Sequence, residues 1–245
     1  MEKKTPRYYN SLPRGWLNYI PVGDVIGNTR FIAFKVPLSK KYDRAMDPTD
    51  IFHMEDLINY LKYNGKQLGM IIDLNLSYRY YNPGVIPHNI KYVKIMLKGR
   101  GTIPPIDEVI RFKFEVDNFL INNRYNNKLI GVHCTHGVNR TGYMICRHMI
   151  EVYGINPKNA IETFSKARKH KIERPLYISD LMSRKYTGYV IEIPSTSINV
   201  GIEDNTEDNT KDNTEDNTKD NTKDNTKDNT ELTVEISMLE NITLK

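Results

Sequence analysis

Cys134 and Arg140 lie six positions apart in the segment LIGVHCTHGVNRTG, which covers residues 129–142. The apolar residues 129–132 predict a buried strand, and an apolar helical pattern follows directly after Gly142. A strand, a tight loop and a helix N-terminus together bind anions, because unpaired backbone N–H groups and the helix dipole point at one place. A thiol and a guanidinium in such a pocket suit attack on a phosphoryl group. The segment therefore predicts phosphoryl transfer through a cysteine nucleophile.

The nucleophile would be the thiolate of Cys134. A free cysteine has a pKa of about 8.5, and activation near neutrality requires a decrease of roughly two pH units, which corresponds to about 3 kcal/mol. Loop amides, the helix N-terminus and the charge of Arg140 favour the anion. Arg140 can also bind two phosphate oxygens at once. Thr141 is placed to hydrogen-bond the sulfur, which stabilises the thiolate when it departs from a phosphocysteine.

The loop itself supplies the predicted phosphate site. Gly137 and Gly142 permit positive φ and a close approach of the backbone to the ligand. The predicted phosphate-binding residues are Thr135, His136, Gly137, Val138, Asn139 and Arg140.

The two histidines of this segment suggest zinc at first sight. His133 and Cys134 are strand neighbours that point to opposite faces, and no second ligand pair follows at the spacing of a zinc finger. We therefore expect no metal and no cofactor. Cys146 lies in an apolar helical run and is expected in the core.

The pattern Cys134-x5-Arg140-Thr141 resembles the signature of cysteine-dependent protein tyrosine and dual-specificity phosphatases. The fuller string HCTHGVNRTGY is similar to the RNA 5′-triphosphatase branch, which includes the metazoan capping-enzyme triphosphatase domain and the baculovirus RNA 5′-phosphatase. The similarity covers roughly residues 10–188. It includes the segments LPRGWLNYIPVG (12–23), TRFIAFKVPL (29–38), IIDLNLSYRYYNP (71–83), YVKIMLKGRG (92–101) and ERPLYISDL (173–181). The resemblance implies that His133 and His136 shape the loop and tune the thiolate.

Protein phosphatases of this type generally carry a general-acid aspartate on a loop ahead of the cysteine segment. The corresponding residues 97–105, LKGRGTIPP, contain Lys98 and Arg100 but no carboxylate, and Asp107 and Glu108 come only after the two prolines. A leaving diphosphate is weakly basic and gains less from protonation than an alkoxide. This departure favours a phosphoanhydride substrate, although Asp107 remains an alternative acid.

Asp73 ends the apolar run 68–72, which predicts a buried parallel strand, so it should lie near the Cys134 loop. The resemblance implies a functional carboxylate that orients Arg140 or acts late in turnover; the alternative is a structural cap on the following loop. Arg79 is a supporting candidate for the β-phosphate, and its alternative is a surface arginine packed on Tyr80 or Tyr81.

Charge separates the chain into a basic part and an acidic tail. Residues 1–202 contain 30 Lys and Arg against 17 Asp and Glu, a formal charge of +13, whereas residues 203–230 contribute 4 − 10 = −6 and residues 231–245 contribute 1 − 3 = −2. A basic catalytic domain attracts anionic substrates, of which nucleic acid is the commonest. We therefore expect RNA 5′ ends, or a phosphoprotein, as the partner; the oligomeric state stays open.

Residues 203–230 repeat the motif [E/K]DNT seven times without an apolar residue, which predicts disorder. The predicted organisation is a flexible N-terminus (1–10), a phosphatase catalytic domain (11–190), a linker (191–202), the repeat and a C-terminal tail (231–245). No run of 18 apolar residues and no signal pattern occurs, and two cysteines suit a reducing compartment. We expect a soluble intracellular protein of cytoplasm or nucleus that is not secreted and does not bind membranes.

Alternating strand and helix patterns predict a single α/β domain with a mostly parallel central sheet flanked by helices. The predicted strands are 29–36, 68–74, 91–97 and 129–133, the predicted helices are 50–63, 105–122, 141–153, 157–168 and 178–186, and residues 21–28 are predicted as a loop.

The predicted function is a metal-independent hydrolase of RNA 5′-tri- and diphosphate ends, which would place it in mRNA processing. A protein tyrosine or dual-specificity phosphatase with the same nucleophile is the first alternative, and a non-catalytic module that binds phosphate or RNA ends is the second.

Overall fold

The computed structural model describes residues 11–99 and 102–188. Five strands form one sheet in the order β1-β2-β5-β3-β4. β1 is antiparallel to β2, and the other neighbours are parallel. The strands are β1 (Val22–Val25), β2 (Phe31–Lys35), β3 (Leu68–Asp73), β4 (Lys91–Lys94) and β5 (Leu129–Cys134). The predicted α/β class with a mostly parallel sheet is confirmed.

Five α-helices cover the two faces of the sheet. They are α1 (Met54–Tyr63), α2 (Ile106–Asn122), α3 (Asn139–Glu151), α4 (Pro157–Arg168) and α5 (Pro175–Ser183), and short 3₁₀ helices occupy Trp16–Asn18, Lys40–Ala45, Pro48–Asp50 and Pro83–Val85. α1 packs on one face of the sheet, and α2 to α5 contribute to the core on the other. None of the helices in the described ranges is long and apolar enough to cross a membrane.

β5 is the central strand, and every residue in it is buried. Its run of apolar residues is typical of a parallel strand that is covered on both faces. The register pairs Lys35 of β2 with Cys134, and pairs Asp73 of β3 with both His133 and Lys94. Because parallel strands end at one edge of the sheet, the loop that follows Cys134 lies beside the segments that follow β2 and β3.

Several elements differ from the sequence prediction. α1 begins at Met54 rather than at residue 50, β4 ends at Lys94 rather than at residue 97, and α3 covers Asn139–Glu151 rather than residues 141–153. β1 lies in the predicted loop 21–28, because pairing of Val22 with Phe34 stabilises a four-residue strand whose own sequence carries glycine and aspartate, which are typical of turns. α5 begins at Pro175 rather than at residue 178, and it ends earlier because Arg184 is extended, with ψ of 151°. Proline at the first helical position explains the start.

The predicted N-terminus 1–10, linker 191–202, repeat 203–230 and tail 231–245 lie outside the described residues. Those boundaries, and the end of the catalytic domain at residue 190, stay predictions.

Replacement of Gly23 tests how closely β1 packs on the end of α4. A Cβ at Gly23 would lie 2.8 Å from the Ala167 carbonyl oxygen and 3.0 Å from Cα of Arg168, and backbone atoms cannot move aside cheaply. We expect Gly23→Ala to lower the free energy of unfolding by about 1–3 kcal/mol in urea denaturation. Gly99→Ala is the matched control, because nothing lies within 4 Å of a Cβ there. Equal stability of the two variants would contradict the close packing of β1 on the end of α4.

Candidate active site

The loop between β5 and α3 has the backbone that the sequence predicts for a phosphate site. Cys134 ends β5 and Asn139 begins α3. Gly137 has φ of 66°, and a Cβ at this position would collide with the carbonyl oxygen of Phe34. Only glycine combines this φ with this approach at low cost.

The expectation of positive φ at Gly142 is wrong. Gly142 lies inside α3 and is not among the glycines with positive φ. A Cβ there would lie 2.7 Å from the Phe164 ring and 2.8 Å from Ile172, so glycine serves close helix packing instead.

Cys134 is only 3% exposed. Burial by itself raises the pKa of its thiol, but the Arg140 guanidinium, the Thr141 hydroxyl and the backbone amides of Thr141 and Val138 outweigh burial and lower the pKa below its ordinary value. The Thr141 hydroxyl is itself fully buried and, within the described residues, no hydrogen bond of good geometry engages it, so it is available to the sulfur. The site therefore favours a thiolate.

Arg140 reaches the pocket from the first turn of α3. Its Nη1 donates to the carbonyl oxygens of Leu74, at 2.9 Å, and Leu97, at 3.0 Å. Its Nη2 donates to Oγ1 of Thr135 at 3.2 Å and approaches Oδ1 of Asn75 at 3.5 Å. The carbonyls after β3 and β4 thus fix one edge of the guanidinium beside the loop.

Asn75 is a site residue that sequence reasoning missed. It is 2% exposed, its Oδ1 accepts a hydrogen bond from Thr135 Oγ1 at 2.9 Å, and its backbone N–H donates to Asp73 Oδ1 at 2.8 Å. A polar residue directly after an apolar strand is the signal that could have identified it.

Asp73 lies at the edge of the site in a buried ion pair. Its Oδ2 accepts from Lys94 Nζ at 2.7 Å and from the Tyr92 hydroxyl at 3.0 Å. Burial raises the pKa of this carboxyl, but His133, Lys94 and the Asn75 amide outweigh burial, so the pKa falls below its usual range. Within the described residues Asp73 makes no hydrogen bond to Arg140 and is linked to it only through Asn75. This geometry is that of the structural alternative, and a catalytic role stays a prediction.

His133, the residue before Cys134, contacts the end of the Cys134 loop from the α1 side of the sheet. It is fully buried; its Nε2 lies 2.8 Å from the Tyr81 hydroxyl, and its Nδ1 lies 3.3 Å from the Cys134 carbonyl oxygen. Burial lowers the pKa of His133, and the carboxylate of Asp73 only partly opposes this effect. A neutral ring with its proton on Nδ1 satisfies both contacts.

His136 and Asn139 form the outer rim of the loop. The His136 ring stacks on Tyr19 with 4.5 Å between ring centroids, and its Nε2 lies 2.9 Å from the Arg14 carbonyl oxygen. Asn139 Nδ2 donates to Glu173 at 2.9 Å, and the Tyr19 hydroxyl donates to the other oxygen of Glu173 at 2.6 Å. Tyr19 and Glu173 were missed, although both lie in segments that carry the family resemblance.

Arg168, at the end of α4, is a further residue whose role at the site was not predicted. It is fully buried, its Nε donates to the Gly137 carbonyl oxygen at 3.0 Å, and its Nη2 donates to those of His136, at 3.0 Å, and Ile20, at 2.7 Å. Burial lowers the pKa of Arg168 to about 10, so it remains charged. By holding these carbonyls on the α4 side, Arg168 stabilises the loop conformation.

Arg79 is exposed and packs on its neighbour. Its Nη2 donates to the Tyr80 hydroxyl at 2.6 Å, and its guanidinium carbon lies 4.7 Å from the centroid of the Tyr80 ring. The structure thus shows the surface alternative, and a role at the β-phosphate stays a prediction.

The segment before α2 is described up to Gly99 and again from Thr102. Asp107 and Glu108 lie in the first turn of α2, and Asp107 is exposed. Among the described residues, no hydrogen bond joins either carboxylate to the Cys134 loop. Nowhere in residues 11–99 and 102–188 do three or more His, Cys, Asp or Glu side chains form a group that could hold a metal ion.

Comparison with a protein family and comparison with individual proteins both point to the same family. Residues 64–186 match the family described as dual specificity phosphatase, catalytic domain. The RNA/RNP complex-1-interacting phosphatase of Bos taurus is 48% identical over 172 residues, which are 70% of this chain and 52% of that protein. The chain therefore spans about half the length of that relative.

The chain covers a larger share of the length of two further relatives. A tyrosine-protein phosphatase of Autographa californica nuclear polyhedrosis virus is 39% identical over 173 residues, which are 69% of this chain and 98% of that protein. The RNA/RNP complex-1-interacting phosphatase homolog of Caenorhabditis elegans is 40% identical over 173 residues, which are 69% of this chain and 74% of that protein. With the parallel sheet and the cysteine loop at its edge, these matches show that the chain belongs to the dual specificity phosphatase catalytic-domain family, the cysteine-dependent phosphatases.

Proposed function

We propose that this protein removes phosphate from the 5′-tri- and diphosphate ends of RNA, starting at the γ-phosphate, without a metal ion. The observation that carries the proposal is the combination of an activated Cys134 with a segment 97–105 that contains no carboxylate. The first feature supplies the nucleophile, and the second selects the leaving group.

The Cys134 sulfur attacks the γ-phosphorus, and the bond from that phosphorus to the bridging oxygen breaks. The electron pair stays on the departing diphosphate end, and a phosphocysteine forms. Arg140 and the loop amides bind the equatorial oxygens, on which charge is redistributed in the transition state. Water then attacks the phosphocysteine, releases inorganic phosphate and restores the thiolate, which Thr141 stabilises.

The leaving group decides between substrates. A phosphotyrosine or phosphoserine leaves as a phenoxide or alkoxide and gains from a proton supplied at the bridging oxygen. A diphosphate end is a weaker base and leaves without one. Lys98 in segment 97–105 offers positive charge to such a polyanion, as does the formal charge of +13 over residues 1–202. The names of the mammalian and nematode relatives, which refer to an RNA or RNP complex, support the same substrate.

A protein tyrosine or dual-specificity phosphatase is the second candidate. The family match and the name of the baculovirus relative, a tyrosine-protein phosphatase, favour it. It would use Cys134, Arg140 and Thr141 in the same roles and would require an acid such as Asp107 to reach the leaving oxygen.

Replacement of the nucleophile tests the covalent route. We expect Cys134→Ser to fold as the wild type does and to lose kcat by about 10⁴-fold or more, as for other enzymes that lose their nucleophile. Rapid acid quench of the wild-type protein with γ-³²P-labelled substrate should trap label on Cys134. Cys146→Ser is the matched control, since burial raises the pKa of Cys146 well above its ordinary value. Retained turnover in Cys134→Ser would exclude the phosphocysteine.

The pH dependence of alkylation tests the thiolate directly. The lowered pKa predicts that the rate of Cys134 alkylation by iodoacetamide reaches its plateau at a lower pH than for free cysteine, and that it falls only as pH drops through the lowered pKa. Arg140→Ala and Thr141→Val should each move the midpoint upward, because each removes a group that favours the anion. A wild-type midpoint at about 8.5, the value for free cysteine, would contradict the arrangement.

Parallel kinetics separate the two candidate substrates. With chelator present, we expect kcat/KM for an RNA with a 5′-triphosphate to exceed that for a phosphotyrosine peptide by about tenfold or more, which corresponds to roughly 1.4 kcal/mol. Asp107→Asn should leave the RNA reaction nearly unchanged. The reverse preference, together with loss of peptide turnover in Asp107→Asn, would favour the protein phosphatase.

A further inference from the structure

A groove of about 630 Å³ opens on the α1 side of the sheet and is not used by the chemistry above. Its apolar wall comes from the segment after β2, the start of α1 and the segment after β3. The residues of this apolar wall are Leu38, Met54, Ile58, Tyr81, Val85 and Pro87. Its volume lies within the range of sites for small organic ligands.

Two contacts link this groove to the end of β5, the strand that carries the nucleophile. The Tyr81 hydroxyl, on the wall, lies 2.8 Å from Nε2 of His133, the residue before Cys134. The backbone N–H of Val36 donates to the carbonyl oxygen of Thr135 at 3.1 Å, and the wall residue Leu38 follows two positions later. The wall therefore lies on the α1 side of β5, near the carboxyl edge of the sheet, where ligands of parallel sheets bind.

The rim of the groove is cationic. Lys40 and Lys41 are exposed on it, and neither pairs with a carboxylate within the described residues. A smaller cavity of about 470 Å³ shares Lys41 and Tyr81 with the groove and adds Arg79 and the half-exposed Tyr78. Glu55 is the acidic residue of the groove lining.

An apolar wall that includes the Tyr81 ring, with lysines at its rim, fits a nucleotide. A base gains from contact with apolar and aromatic surface, and the phosphodiester that follows the base gains from the lysine charges. An acidic peptide would use the lysines but would leave most of the apolar wall without a matched partner.

We infer that the groove binds the first nucleotides of the RNA, with a base against the apolar wall and the next phosphodiester beside Lys40 and Lys41. The inference rests on the proposed function, since it extends the substrate of the same site. It adds a source of affinity for the RNA body that is separate from the phosphate loop.

Binding to full-length Cys134→Ser protein tests the groove without turnover. The probe is a pentaribonucleotide with a 5′-triphosphate and a 3′ fluorophore, followed by fluorescence anisotropy. We expect Val85→Asp, added to Cys134→Ser, to raise Kd by about tenfold, which corresponds to roughly 1.4 kcal/mol. Val85 is 57% exposed, so the change should leave the fold intact. Ile110→Asp is the matched control, an exposed apolar residue on α2 outside the groove, and should change Kd less than about twofold, or 0.4 kcal/mol.

The lysines are tested by salt dependence in a second variant. Replacing both Lys40 and Lys41 by alanine should reduce the slope of log Kd against log salt by about 0.7, because one phosphate contact to a single strand contributes roughly that amount. Val85→Asp should weaken the affinity for inorganic tripolyphosphate, measured by competition, less than it weakens the affinity for RNA. The reason is that tripolyphosphate has no base to contact the apolar wall.

The outcomes separate this inference from the proposed function. If Val85→Asp and the lysine variant bind RNA as the parent does, the groove is not an RNA site, even where the wild-type protein hydrolyses triphosphate ends. If RNA binding depends on Val85 and the lysines but the wild-type protein fails to hydrolyse those ends, the groove stands and the proposed function is wrong. A larger loss for a phosphotyrosine peptide than for RNA would assign the groove to peptides and overturn the inference.

Discussion

The candidate site depends on positive groups that favour ionisation of a buried sulfur. Removal of Cys134 from water opposes ionisation, and the positive groups around it must outweigh that cost. Arg140 supplies a full charge, and Val138 and Thr141 supply oriented amides. An oriented amide is effective only while the backbone that carries it is held still, so the chemistry depends on the rigidity of one short loop.

That rigidity comes from contacts on both sides of the loop. Gly137 brings the backbone against Phe34 of β2, and Arg168 occupies the carbonyls of His136 and Gly137 from α4. On the opposite side, Asn75 bonds to Thr135. A buried arginine without a carboxylate partner in the described residues is costly, and the nearby Cys134 anion favours its charged form. The two charges therefore support each other across the loop.

The elements that carry the loop were predictable, because their signals are local. β5 and α3 follow from an apolar run and a helical period, and Gly137 follows from the need for positive φ. β1 was missed because its stability comes from pairing with β2. Gly142 was misassigned because its contacts are to Phe164 and Ile172, on parts of the chain that its own neighbours do not indicate.

The sequence by itself determined the class of chemistry and predicted Cys134 as the nucleophile with Arg140 as its partner, since these residues lie within one short segment whose geometry local rules prescribe. Only the tertiary structure decided which residues hold that segment in place: Asn75, Arg168, and the pair of Tyr19 and Glu173, which are 154 positions apart. It also decided that Asp73 pairs with Lys94. The reason is physical: a hydrogen bond between distant residues depends on how the sheet and helices pack, and no periodicity in the chain encodes that distance.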